Sequence, residues 1–351
     1  MLSIPLSLLC TAQGLFVFAD TTTLIPEGKI IDYPSIFPDV TPGAGPRVID
    51  GCNVFLTGDY TYWSARQDNM QYASTGYSND TTLSVNPGKS ETPKFKYETG
   101  FKAGLGFNFG HDMWDCCFNY TWFQSNKNKD SVSASYSDGL TPSFNPEITL
   151  LSEDYFKSAR TLWQLHFNVV DFEMGRNFYI SKYLALRPFI GLKGTWQNQK
   201  FANTYKGLTN DQDFSYWNNM HNSLWGIGIR SGLNTSWHLS ESWSLFGDLA
   251  LSGLFEKFQT KRKDSYRIEE ESKVKPIHQR GELTTISPIL ELCLGVRKDE
   301  WFFQDKFHVG VQAGWEEQIW WDQNQFGLNS SMTRGGNLVL QGLTARIRCD
   351  F

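Results

Sequence analysis

The stretch at residues 337–351, NLVLQGLTARIRCDF, places the tightest constraint on the fold of this chain. Apolar side chains occupy every second position from Val339 to Phe351, with Gln341 as the single break, whereas Thr344, Arg346, Arg348 and Asp350 occupy the other positions. A repeat of two residues is the period of a β-strand. One continuous apolar face and one charged face suit a strand between lipid and a wet interior. The stretch predicts a transmembrane β-barrel in which it is the last strand and closes the sheet.

The same alternation recurs along the chain and predicts an all-β fold, an antiparallel up-and-down barrel of about ten strands. Connections alternate between long and short, as in outer-membrane barrels with long extracellular loops and short periplasmic turns. An extra hairpin in loop 67–93 or loop 126–158 would raise the number toward twelve. The predicted strands are 53–66, 94–109, 114–125, 159–176, 184–197, 222–238, 243–257, 284–298, 306–318 and 337–351.

Aromatic residues with outward parity collect at the strand ends, as expected for the interfacial girdles of a barrel. In the fourth strand the alternation predicts that Trp163, Leu165, Phe167 and Val169 face outward, with a bulge near Val170. The predicted periplasmic girdle contains Phe107, Phe109, Trp114, Trp237, Trp243, Phe307 and Phe351. The predicted outer girdle contains Phe95, Tyr97, Trp122, Trp163, Trp196, Trp225 and Trp315.

Composition agrees with a barrel and excludes some classes of function. Hydrophobic residues make up 40% of the chain and aromatic residues 15%, while the mean hydropathy is −0.39, because half of each barrel strand faces water. A net charge of −5 gives no electrostatic support for a nucleic-acid partner.

Three segments follow from this organisation. Residues 1–19 are predicted as a secretory signal peptide, residues 20–50 as a periplasmic leader rich in Pro and Gly, and residues 51–351 as the outer-membrane barrel. The expected location is the bacterial outer membrane.

Several phrases resemble the Legionella-type major outer membrane proteins, a family also found in chlamydia-related bacteria. They are YWSARQD at 62–68, GFKAGLG at 100–106, HDMWD at 111–115, YTWF at 120–123 and SKYLALRPFIG at 181–191. The adjacent Cys116 and Cys117 depart from that pattern. The resemblance implies a pore-forming outer-membrane barrel without catalytic residues. It also implies that Phe351 is an assembly signal read by the barrel-insertion machinery.

Charged residues with inward parity are predicted to line the lumen. They are Lys96, Glu98, Lys102, Arg187, Lys193, Arg230, Asp248, Glu291, Arg346 and Arg348. They indicate a porin that passes small hydrophilic solutes by passive diffusion, without a cofactor or metal. The alternative is a structural envelope barrel or adhesin whose inward charges pair and plug the lumen, since about eight strands already enclose a filled interior.

Two further hypotheses remain open at this level. An enzyme would need His221 and the nearby Asp211 and Asp213 at the outer rim, but a chance His among loop carboxylates is commoner, so no catalytic site is predicted. Cys52 and Cys349 could form a disulfide, cross-link separate chains, or stay unlinked. The expected partners are outer-membrane lipid, the insertion machinery and small solutes, with a homo-oligomer left open.

Overall fold

A computed structural model describes residues 43–48, 51–76, 88–110, 112–134, 139–144, 155–209, 212–269, 274–329 and 335–351. The predicted signal peptide at 1–19 and most of the predicted leader at 20–50 lie outside these described residues. Within the described ranges, no helix has the length and hydropathy of a membrane span.

Ten long strands form one closed antiparallel sheet, in which each strand pairs with the next and the last pairs with the first. This confirms the predicted ten-stranded up-and-down barrel. The strands are β1 (Val54–Gln67), β2 (Tyr97–Asn108), β3 (Trp114–Ser133), β4 (Tyr155–Arg176), β5 (Leu184–Thr209), β6 (Gln212–His238), β7 (Trp243–Ile268), β8 (Val274–Phe302), β9 (Phe307–Trp320) and β10 (Leu338–Asp350).

Shorter elements lie between the barrel strands. The segments Ala73–Thr75, Ser90–Glu91 and Leu140–Pro142 form a small three-stranded sheet. Phe178–Tyr179 pairs with β5, and Phe326–Asn329 is a 3₁₀ helix.

The outward aromatic residues form two belts, as predicted for most of their members. The outer belt contains Tyr62, Tyr97, Trp122, Trp196, Trp225 and Trp315, and the periplasmic belt contains Phe107, Phe109, Trp114, Trp237, Trp243, Phe307 and Phe351, all exposed or half-buried. On β6, Trp225 and Trp237 lie twelve residues apart, which is about 40 Å along a strand. At the tilt of roughly 40° usual in barrels, this span covers about 30 Å, close to the apolar band of an outer-membrane barrel.

Strands β5 to β8 continue well beyond the outer belt. The segments 198–221 and 258–283, predicted as loops, are mostly strand, because β5 reaches Thr209, β6 starts at Gln212, β7 reaches Ile268 and β8 starts at Val274. Their polar residues face outward while Phe201, Tyr205 and Tyr216 face inward and are buried. Above the outer belt the wall faces water, so the apolar face is the inner one.

The prediction that the apolar side chains of β4 face outward was wrong, because much of this strand also lies beyond the outer belt. Trp163, Leu165 and Phe167 are buried inside the barrel and Val169 is also inward, while Val170 is exposed with no bulge there. The shifts in register on β4 occur instead opposite Ser125–Asn128 and at Phe156–Ser158. Phe95 packs edge-on against the buried Trp163 ring at 5.6 Å, so neither residue belongs to the outer belt.

Candidate functional site: the barrel interior

The middle of the barrel holds a network of opposite charges, here called the ionic layer. Lys193 lies 2.8 Å from Asp171 and 2.7 Å from Glu291. Arg230 lies 2.7 Å from Glu291 and also pairs with Glu173. Each cation of this network therefore has carboxylate partners within the lumen, with one carboxylate in excess.

The ionic layer continues on either side of this network, with Arg187 on β5 away from the closing seam of β10 and β1, and Lys102 and Arg346 near that seam. Arg187 donates from Nε to Asp115 at 3.0 Å and from Nη1 to Glu173 at 3.2 Å. Lys102 Nζ lies 2.6 Å from Glu316. Arg346 pairs with Asp59 at 2.8 Å across the seam between β10 and β1. The Lys102 and Arg346 pairs connect strands that are far apart in sequence.

The periplasmic end of the lumen contains a smaller polar cluster. Arg348 pairs with Asp350 at 2.7 Å, and its guanidinium lies 3.8 Å from the Phe55 ring centroid. His308 contacts Asp350 at 2.8 Å and Asp299 at 3.1 Å through its two ring nitrogens. This end of the lumen is therefore also occupied by paired side chains.

Directly above the ionic layer lies a set of four buried aromatic side chains, Trp63, Phe123, Phe167 and Trp320, here called the aromatic layer. Phe167 packs edge-on against Trp320 at 5.1 Å, and Trp63 packs on Phe123 at 5.8 Å. Lys102 Nζ lies 4.9 Å from the Trp63 ring and Lys193 Nζ lies 5.6 Å from the Trp320 ring. The cations thus contact carboxylates on one side and aromatic faces on the other.

Segments between the strands fold into the upper interior and cover the aromatic layer. Met70, Tyr72, Phe144 and Phe326 are buried in the same apolar core as the wall residues. Tyr205 donates to the Tyr72 carbonyl at 2.7 Å. The 321–329 segment is attached by polar contacts, because Gln323 donates to Glu256 at 2.8 Å and Asn324 donates to the Asp68 carbonyl at 2.7 Å.

A cavity of about 50 Å³ lies between the ionic and aromatic layers, lined by Asp171, Lys193, Arg230 and Glu291 among others. That volume accommodates only a few water molecules. Along the described barrel, paired charges, aromatic rings and inserted segments occupy successive levels of the interior from the periplasmic end to the extracellular side.

Most of the residues predicted to line the pore belong to this interior. Lys102, Arg187, Lys193, Arg230, Glu291 and Arg346 form the ionic layer, Arg348 lies at its periplasmic end, and Asp248 accepts from Asn234 at 2.8 Å. Two differ. Lys96 is exposed and precedes β2, so its placement in the lumen was wrong. Glu98 accepts from the backbone N–H groups of Asn126 at 2.7 Å and Lys127 at 2.9 Å, where it supports the bulge in β3.

The aromatic layer and the inserted segments were not predicted as interior features. The signal was present, since Trp163, Leu165, Phe167 and Val169 alternate in strict period two. That parity was assigned to the lipid side, although the same parity carries Asp171 and Glu173 into the ionic layer.

The constellation expected of an enzyme at the outer rim is not formed by the described residues. His221 faces outward, opposite Lys200 and Lys261 on the neighbouring strands. Asp213 lies eight residues away on the same strand and ion-pairs with Lys157 at 3.8 Å, and Asp211 lies outside the described residues. No group of three or more potential metal ligands occurs in the described part of the chain.

Cys52 and Cys349 are both free thiols. Cys349 lies opposite Leu56 on β1, four positions from Cys52, whose Sγ instead contacts the Phe351 carbonyl at 3.3 Å. The intramolecular disulfide considered from the sequence is therefore absent, because the seam register separates the two residues. Phe351 itself packs edge-on against Phe307 at 6.0 Å within the periplasmic belt.

Comparison with protein families gives one match, to the family described as Legionella pneumophila major outer membrane protein precursor, over residues 55–351. The chain belongs to this family. The matched range contains nearly all of the barrel, since β1 begins at Val54. Membership in this family places the chain in the bacterial outer membrane, as predicted.

Two solved structures of outer-membrane proteins resemble this chain more distantly. The outer membrane protease OmpT from Escherichia coli is 12% identical, with a TM-score of 0.38, over 86% of this chain and 98% of that one. A Pseudomonas aeruginosa FadL homologue is 8% identical, with a TM-score of 0.26, over 86% and 90% of the two chains. Neither likeness assigns an activity here. No curated protein matches the chain.

Proposed function

We propose that this chain is a structural outer-membrane barrel with an occluded lumen, whose functional surface is the wall and segments beyond the outer belt. The observation that supports this most directly is the stacking of two filled layers, the ionic layer and the aromatic layer. Side chains fill a barrel of about eight strands, and wide aqueous channels need about 16. Ten strands leave little room beyond that.

Energetic reasoning also favours a permanent filling over a loosely placed plug. Lys193 is 2% exposed and its partners Asp171 and Glu291 are 10% and 12% exposed. Separating such buried pairs to admit a solute would leave uncompensated charges, which costs about 3–5 kcal/mol for each broken pair. The aromatic layer adds a second barrier made from wall residues of β1, β3, β4 and β9.

Single-channel recording in planar bilayers tests the proposal. The refolded chain, with its folding verified by heat-modifiable gel migration, is expected to give no conductance steps. A triple variant, Trp63→Ala, Phe167→Ala and Trp320→Ala, removes most of the aromatic layer and should raise ion leakage. The matched control is Trp196→Ala, Trp225→Ala and Trp315→Ala, which removes outer-belt rings without touching the interior. Regular conductance steps from the unmodified chain would overturn the proposal.

The second candidate is the porin suggested by the sequence, passing small hydrophilic solutes by diffusion. The polar lining of the 50 Å³ cavity favours it, because a hydrated, charged centre is the part of a porin that filters solutes. It would require the aromatic layer and the inserted segments to move aside. The same recordings distinguish the two candidates, since a porin conducts without any substitution.

A further inference from the structure

Four basic residues stand side by side on the outer surface of the wall, in a row here called the basic rung. Lys200 on β5 is the register partner of His221 on β6, His221 is the partner of Lys261 on β7, and Lys261 is the partner of Arg280 on β8. His221, Lys261 and Arg280 are exposed and Lys200 is half-buried. Partners in an antiparallel pair lie about 5 Å apart at their Cβ atoms, so the rung is a continuous row of positive charge.

The rung lies just beyond the outer belt. Lys200 is four residues from Trp196, and His221 is four residues from Trp225, its partner in the belt. Four residues span about 13 Å along a strand, or roughly 10 Å in height at the usual tilt. The row between belt and rung is polar and consists of Asn198, Ser223, Gln259 and Glu282, of which only Glu282 is charged.

The rung places like charges side by side, and Glu282, two residues from Arg280 on the same face of β8, ion-pairs with Lys257 instead. Like charges placed directly opposite each other destabilise a sheet. Among the described residues, no carboxylate pairs with any of the four, and Lys263 adds another charge two positions further along β7. Partial burial, Lys200, Lys261 and Lys263 together lower the pKa of His221, as expected for a site of positive potential.

Three outward cations at or beyond the belt have acidic partners, unlike the four residues of the rung, whose distinction is that they are direct register neighbours on four successive strands. Arg66 pairs with Asp68 at 3.7 Å, Lys94 with Asp130 at 2.9 Å and Lys257 with Glu282 at 3.0 Å. An uncompensated row of this kind suits an external anion that supplies the missing charge.

We propose that the basic rung binds the phosphorylated sugar head group of an outer-leaflet glycolipid. The head-group region of a bilayer adds only about 5–8 Å to each side of the hydrocarbon core. A phosphate at the height of the rung therefore suits a head group taller than that of a simple phospholipid. The polar row below it offers hydrogen-bond partners for sugar hydroxyls, and the outward Trp225, Ile227 and Phe255 offer an apolar surface for acyl chains.

The proposal does not rest on the occluded lumen, because every residue of the rung faces away from the interior. A conducting barrel could bind the same lipid, and an occluded barrel could fail to bind it.

Lipid binding to the purified, folded chain in detergent tests the proposal by native mass spectrometry. The probes are bisphosphorylated lipid A, monophosphoryl lipid A and phosphatidylglycerol. The test variant is Lys200→Gln, Lys261→Gln and Arg280→Gln. The matched control, Arg66→Gln, Lys127→Gln and Lys129→Gln, removes the same number of exposed cations from β1 and β3 beyond the outer belt.

The unmodified chain should bind bisphosphorylated lipid A more tightly than the other two probes. Each cation near a lipid surface contributes about fivefold to affinity, so the test variant should bind about 100-fold more weakly, with the control within a few-fold of the unmodified chain. Equal weakening in test and control variants, or equal affinity for phosphatidylglycerol and lipid A, would overturn the proposal.

Thermal stability supplies a second readout. Without lipid, the test variant should melt at the same temperature as the unmodified chain or higher, because the repulsion within the rung is relieved. With bisphosphorylated lipid A added, the order should reverse. A test variant that stays equally stabilised by this lipid would also contradict the proposal.

Discussion

Replacing Lys193 by Met is the sharpest test of the ionic layer. Around it, three cations (Arg187, Lys193 and Arg230) face four carboxylates (Asp115, Asp171, Glu173 and Glu291). The substitution keeps the length of the side chain but leaves two cations for four carboxylates. Because Lys193 is 2% exposed, little solvent screening reduces the effect. We expect a loss of about 3–5 kcal/mol in the free energy of unfolding, the usual cost of breaking a buried pair.

Urea titration of the barrel in lipid vesicles, followed by tryptophan fluorescence and gel migration, measures that loss. The control is Lys298→Met, since Lys298 is 45% exposed and pairs with Glu300 at 2.8 Å. An exposed pair of this kind contributes at most about 1 kcal/mol. The double variant Lys193→Met, Glu291→Gln restores the original excess of one carboxylate and should recover stability relative to Lys193→Met alone. A Lys193→Met barrel within 1 kcal/mol of the unmodified one, on this scale, would refute the reasoning.

Three further predictions concern other parts of the molecule. Removing Phe351 should lower the amount of barrel in the outer membrane and raise the amount in the periplasm, because its packing on Phe307 in the periplasmic belt is lost. Cell fractionation measures both amounts, and an unchanged outer-membrane level would contradict the prediction. Intact-mass measurement after thiol alkylation should show Cys52 and Cys349 modified equally with and without reductant; a mass difference on reduction would indicate a bond. The lowered pKa of His221 means that the unfolded chain takes up this proton first, so acidification through the ordinary His pKa of about 6.5 should reduce stability. His221→Gln should flatten that pH dependence, and a profile identical to that of the unmodified chain would exclude a contribution from His221.

Alternation of side chains was sufficient to predict the part of the barrel that lies in the membrane. On β2, β6 and β10 the residues predicted to face outward do so. With lipid on one side of the wall and water on the other, only one orientation of each strand places its apolar side chains in lipid. The strand number follows from the same pattern. Connection lengths alone then orient the ends of the barrel.

The same rule failed where the wall leaves the membrane. Beyond the outer belt, the outer face meets water and the apolar side chains turn inward, so Trp163 and Phe167 have the parity of a soluble β-protein. Phe201, Tyr205 and Tyr216 obey that inverted pattern, which made their segments look like polar loops. If apolar side chains are expected to face outward below the outer belt and inward above it, the same alternation predicts both the extended strands and the apolar upper interior.

Partners within the interior could not be predicted from alternation. Parity places Lys102, Arg187 and Arg230 on the inner face, but the choice between an open charged lining and closed ion pairs depends on distances across the barrel. With ten strands those distances are short enough for direct contact, as in the 2.6 Å approach of Lys102 to Glu316.

Charge pairing also supplies a constraint on barrel closure that apolar patterning lacks. A slip of one residue between β10 and β1 would turn every side chain to the wrong face, but a slip of two would preserve both faces. In the observed register Arg346 lies directly opposite Asp59, a carboxylate that is 1% exposed. A slip of two that places Arg346 opposite Thr57 would place Thr344 opposite Asp59 and leave that buried carboxylate without a cation, whereas the opposite slip would place Arg348 there. The pair therefore disfavours one of the two register errors that the apolar faces permit. Asp59→Arg or Arg346→Asp alone should impair closure of the barrel on heat-modifiable gels, whereas the combined exchange of both residues should restore it. If the double exchange closes no better than either single variant, the pair does not set the register.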